Sequence, residues 1–160
     1  MNYSIYGIPA YWVLSLFPHV YAQRIIKNAS NGHWDNRNPR GVDLLTQYKR
    51  SVPAAAFAKF ERARATHNNG MENMALFIGA VVVGNMAKLE SSKASGKEST
   101  LNTVVGSFPA LRVVYTALYI TITNKKYSLA RSTVWAISTL LLFYPIVKAA
   151  NMLVYQTDSA

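Results

Sequence analysis

The residues of the chain best suited to chemistry begin in one stretch: Phe60-Glu61-Arg62-Ala63-Arg64-Ala65-Thr66-His67-Asn68-Asn69-Gly70-Met71-Glu72-Asn73-Met74-Ala75-Leu76-Phe77. It opens as a charged helix and runs without a break into the apolar Ile78–Met86. At about 100° per residue, Arg62, Asn69, Glu72 and Asn73 fall on one stripe. Ala65 and Thr66 lie between them, while Arg64, His67 and Met71 face the other way. Polar groups at membrane depth cost free energy unless they pair or meet water, so the stripe is a candidate site. The alternative is a helix end whose charges snorkel to the interface. Glu72 and Asn73 lie a turn or more beyond comfortable snorkelling range.

A second set repeats the pattern. Arg112, Tyr115 and Tyr119 follow i, i+3, i+7 spacing inside an apolar helix, with Thr123 on the same face. An arginine there must find an anion or water. Glu72 is the acidic residue at comparable depth, so a Glu72–Arg112 pair is expected. That pair either staples two helices or serves a ligand, and both can hold together. A third set, Arg131-Ser132-Thr133, opens the last apolar block. Its arginine suits a carboxylate or a developing anion. Its serine suits a helix cap, or a hydrogen bond to a thiolate near the positive end of the dipole.

The elements that carry these sets are apolar blocks. The 160 residues point to one domain spanning 1–160; half of them are hydrophobic and 15% are charged, an integral membrane profile. The blocks run over about 5–26, 53–86, 101–123 and 132–155, which predicts four transmembrane helices in an antiparallel all-α bundle. Residues 27–52 read as an irregular loop, Pro53 as the first turn of the second helix, and Lys88 to Thr100 as a flexible connector.

The net charge of +10 calls for a partner of opposite sign. The basic residues sit in loops beside apolar segments, so anionic headgroups or an anionic substrate fit better than nucleic acid. Lys27, Arg37, Arg40, Lys49, Arg50, Lys125 and Lys126 occupy the first and third loops, which places those loops in the cytoplasm and both termini on the lumenal side. The site then faces the cytoplasm. Cysteine is absent, which excludes thiolate ligands and a cysteine nucleophile. His19, His33 and His67 lack ligand spacing, so no metal site is expected.

Taken together, these residues resemble the MAPEG family. It comprises microsomal glutathione transferases, leukotriene C4 synthase, the five-lipoxygenase-activating protein and the inducible microsomal prostaglandin E synthase. The resemblance rests on Phe60-Glu61-Arg62 followed by His67, Asn69 and Glu72, on Arg112-x-x-Tyr115-x-x-x-Tyr119, and on Leu129-Ala130-Arg131-Ser132. It implies a homotrimer in the endoplasmic reticulum or microsomal membrane, with one site in each cleft between subunits. Gly79, Ala80 and Gly84 on the second helix are small enough for close approach at such a contact. The resemblance further implies glutathione near the cytoplasmic side and a lipophilic electrophile entering from the bilayer, for transfer, peroxide reduction or isomerisation.

Carried over residue by residue, Asn69, Glu72, Tyr115 and Tyr119 match glutathione contacts, and Arg112 supports them. Asn73 takes a position held by a tyrosine in some members. Arg131 and Ser132 match the pair that lowers the thiol pKa and polarises the substrate. The gap from Tyr119 to Arg131 is longer than in the eicosanoid enzymes, which makes Lys126 a rival cation. Two family arginines are replaced, by Ala65 and Asn68. Losing them removes charge-assisted contacts of a few kcal/mol, and Arg62 is the expected substitute. The same departures favour an alternative: a lipid-binding scaffold, or a natural-product isomerase or cyclase that does not use glutathione.

Overall fold

The computed structural model describes residues 2–89 and 100–157, with side chains through Val154. The proposed connector from Lys88 to Thr100 falls almost wholly outside them. The elements of the described chain are all helices: α1 (Gly7–Ala29), α2 (Val42–Ser51), α3 (Ala54–Met86), α4 (Thr100–Thr121) and α5 (Ser128–Thr157). The apolar blocks become α1, α3, α4 and α5. Pro53 sits just before α3 as its N-cap rather than inside its first turn.

Two boundaries differ from expectation. Residues 42–51 are not loop but a short amphipathic helix, α2. Its apolar Leu44, Leu45 and Tyr48 face one way, Asp43 lies in its first turn, and Lys49 and Arg50 lie in its last, each complementing the helix dipole. The last helix starts at Ser128, after a 3-10 turn over Lys125–Tyr127, and not at Ser132. The Ser128 hydroxyl donates to the Lys125 carbonyl at 2.8 Å. Ser132 therefore lies more than a turn inside the helix, out of capping position.

The four long helices pack around α3, which contacts α1, α4 and α5; α4 also contacts α1 and α5. Between α1, α3 and α4 sits an aromatic cluster. The Phe77 and Phe108 rings stack at 5.0 Å, and Tyr11 meets them edge-on at 5.1 and 4.9 Å. A second apolar cluster lies at the end where α1 leaves the bundle, with Ile26, Phe60 and Ala63 under Tyr48 of α2. At the opposite end, Asn2 and Ser4 bond to Asn85 of α3, and the Tyr3 amide donates to Asn102 of α4. Both ends of the bundle are thus pinned.

α4 and the Lys125–Val154 segment are each long and apolar enough to cross a bilayer. Only 33% and 22% of their apolar windows are buried in the chain, whereas the core helix of a soluble protein is mostly buried. Their outward Val113, Val114, Leu140, Phe143 and Val147 are exposed. α1 and α3 are more polar, yet α1 also turns Trp12, Val13, Phe17 and Val20 outward. Apolar surface on this scale needs lipid or a partner.

The small residues of α3 are used differently from expectation. A Cβ on Gly84 would lie 2.8 Å from Leu101, and Ala80 is buried within the chain. Both serve packing inside the chain. Gly79 alone of the three has open space before it.

Candidate functional site

The α3 stripe and the α4 face meet along the α3–α4 seam. The side chains form one string of contacts. Asn73, buried, donates to the Asn69 carbonyl at 2.8 Å one turn earlier, which holds both amides on the same side of α3. Asn69 in turn accepts from Arg112 Nη2. The Arg112 guanidinium lies over the Tyr115 ring at 4.2 Å. Tyr115 meets Tyr119 edge-on at 5.6 Å. Arg131 of α5 closes the string with its guanidinium 4.1 Å from the Tyr119 ring centre. Cation–π contacts of this kind fix long cationic side chains without neutralising them.

Arg112 departs from the expected pairing. It takes Asn69, not Glu72, as its partner within the chain. Glu72 is exposed on α3, and the ion pair found among the described residues is Asp35–Arg37 in the α1–α2 loop. Glu72 remains in electrostatic reach of the Tyr115 hydroxyl, as does Arg131. The reason lies in side-chain direction. Asn69 is a short residue on the flank of the stripe that faces α4, whereas Glu72 is displaced by about 60° around the helix at 100° per residue. Arg112 is only 3% exposed, and its Nη1 has no partner. A buried, unpaired guanidinium nitrogen is costly and invites an anion or a carbonyl.

The remaining expected residues divide. Arg62 is committed to structure: its Nε donates to the Ile120 carbonyl at 3.1 Å, satisfying an acceptor in the last turn of α4. Ser132 is exposed and sits beside the string rather than in it. Lys126 is exposed in the 3-10 turn, where its amide bonds Asn124, and it does not join the string.

The opposite face of α3 holds a separate polar cluster. His67 is buried with Nδ1 2.8 Å from the Ser15 carbonyl, so that nitrogen donates. Its ring lies 4.9 Å from that of His19. A cavity of about 20 Å³ there is also lined by Arg40, Arg64 and Asn68. Cationic charge therefore remains next to Asn68, one of the positions where the family pattern has arginine.

Tyr11 is a neighbour of the site that the sequence did not disclose. Its hydroxyl donates to the Gly70 carbonyl at 3.0 Å and lies within electrostatic reach of Arg112. In an apolar block, a tyrosine reads as an interface residue, and only the packing of α1 on Gly70 brings it inward. A Cβ on Gly70 would stand 3.0 Å from Ser15 Oγ, so glycine is what permits that approach.

Nearly the whole chain, residues 5–151, matches the MAPEG family profile. The chain belongs to the MAPEG family. It is accordingly an all-α membrane protein. Among curated proteins and among solved structures, nothing matches at a significant level. MAPEG membership supports a membrane function of the glutathione transferase type or a related one.

Proposed function

We propose that this MAPEG chain is a glutathione-dependent transferase, peroxidase or isomerase that acts on a lipophilic electrophile at a site between subunits of a homotrimer. The observation that carries the reading is Arg112. It is buried, its Nη1 is unpartnered, and it sits in an unbroken string from Asn73 to Arg131. Glutathione is a peptide with two carboxylates and one ammonium, and the donor set fits it. Arg112 supplies an unsatisfied cation, Asn69 and Asn73 supply amides, and Tyr115 and Tyr119 supply hydroxyls and ring faces. The exposed Glu72 carboxylate is free for the ammonium.

When bound, glutathione supplies a thiol nucleophile. The chain's own groups do the rest. Arg131 is held over Tyr119 by a contact that leaves its charge intact, so it favours negative charge on sulfur or on the substrate. Ser132 stands next to it on α5 to add a hydroxyl donor. Glu72 and the outward side of the string face away from the chain's own core, so a neighbouring subunit is needed to close the site and exclude water. Four membrane-spanning helices, termini in the lumen and the string towards the cytoplasm complete the arrangement, following the basic loops.

One observation favours a second reading. Arg62, the expected substitute for the arginines absent at Ala65 and Asn68, is already bonded to Ile120. A scaffold or natural-product isomerase without glutathione would tolerate that loss. Steady-state kinetics with a small model electrophile distinguish the two. Arg131→Ala should lower kcat by about 100- to 1,000-fold with glutathione affinity retained, as for loss of one preorganised donor. Turnover that is absent in the unaltered protein, or unaffected in the variant, contradicts the enzyme reading.

A further inference from the structure

The outward face of α1 carries a feature unrelated to the Arg112 string. Leu14, Phe17, Tyr21, Arg24 and Asn28 follow helical spacing along it and change from apolar to polar towards the basic loop end. Two clefts flank this face. One, of about 350 Å³, lies between α1 and α4 and is walled by Leu14, Val113, Ala117 and Ile120. The other, of about 620 Å³, lies between α1 and the start of α3 and includes Arg24, Asn28 and Lys59. Phe17 and Tyr21 line both, so the clefts meet at this ring pair, stacked at 6.3 Å. Lys59 Nζ lies 5.4 Å from the Tyr21 ring centre, and Arg24 is exposed.

We propose that this face binds one anionic glycerophospholipid, its phosphate between Arg24 and Lys59 and an acyl chain against Phe17, Tyr21 and Ile120. Three observations select that occupant. Among the described residues no carboxylate lines either cleft, so the ammonium of a zwitterionic headgroup finds no partner there. A free anion has no use for an apolar cleft adjoining the two cations. A second copy of a chain with 17 basic and 7 acidic residues brings little charge to complement Arg24 and Lys59. Basic side chains at a membrane surface favour anionic lipid by roughly fivefold each. The site does not rest on the glutathione reading, since none of its residues belongs to the string.

Native mass spectrometry of the full chain tests it, with equimolar phosphatidylglycerol and phosphatidylcholine of identical acyl chains. The expected result is one retained phosphatidylglycerol per chain, preferred by about tenfold or more. Arg24→Gln with Lys59→Gln should abolish the preference. Ala117→Phe, which fills the apolar cleft from an exposed position, should reduce retention of both lipids. Lys49→Gln with Arg50→Gln, on α2 and outside the clefts, should change nothing. Equal retention of both headgroups overturns the proposal. So does a preference that survives loss of Arg24 and Lys59, or one lost equally in the α2 variant. An oligomer that retains no lipid overturns it as well, and would mean that a second copy covers the face.

Discussion

Asn69 and Glu72 share the polar stripe of α3 and carry different loads. The structure gives Arg112 to Asn69 and leaves Glu72 exposed. Stability should follow that division. Asn69→Ala strips a buried cation of its acceptor and should cost about 1.5–3 kcal/mol. Glu72→Ala breaks no pairing within the chain and should change stability by less than about 0.5 kcal/mol, while weakening glutathione binding. Thermal melting in detergent, with and without glutathione, separates the effects. A large loss of stability from Glu72→Ala would show that the carboxylate has a structural partner in the assembly. In the α1–α2 loop, Arg37 bonds the Asp35 carboxylate and holds its pKa down at about 2. The contribution of this pair is present above the ordinary value of 3.8 and is lost as pH falls towards about 2. The Asp35 side-chain signal should therefore stay constant by NMR from pH 5 to pH 3.5; a transition centred near the ordinary value of 3.8 would contradict the pairing.

At the scale of elements, most of the fold was legible. Long apolar blocks bounded by basic loops gave α1, α3 and α4 to within a few residues, and the end of α3 at Met86 was read directly. The short α2 was missed because its ten residues carry a polar majority and sit among Gly, Pro and Asn. The start of α5 was placed late because Ser128 to Arg131 reads as loop until a 3-10 turn is seen to lead into it. Periodicity also identified the polar faces of α3 and α4 but not their contact, since it fixes a face and leaves the rotation between helices open. The glycines of α3 test the packing. Gly70→Ala puts a Cβ 3.0 Å from Ser15 Oγ and 3.6 Å from its Cα, and should destabilise the α1–α3 seam by about 1–3 kcal/mol. Gly79→Ala meets no atom of the described residues and should be neutral or stabilising by about 0.5–1 kcal/mol through helix propensity. Denaturation midpoints of the two variants check this, and equal destabilisation by both would place Gly79 against another subunit.

For the whole molecule, the string from Asn73 to Arg131, which the proposed function reads as a half-site, is carried by α3, α4 and α5, and α4 and α5 turn apolar side chains outward. In the proposed function, that combination places the chemistry at a subunit boundary. In the proposed reading, the apolar surface would meet bilayer-borne substrate and the polar seam a charged peptide from the cytoplasm. Cross-linking in mild detergent should give a trimer, and a monomer alone would leave the half-site unclosed. The central question for the molecule is whether the seam binds glutathione. Calorimetric titration of the purified protein gives the direct test. Saturable binding of one glutathione per chain below millimolar concentration, weakened at least tenfold by Arg112→Leu, is the expected result. No heat of binding at millimolar glutathione in a folded protein would contradict it, and would identify Ala65 and Asn68 as the mark of a chain that has given the peptide up.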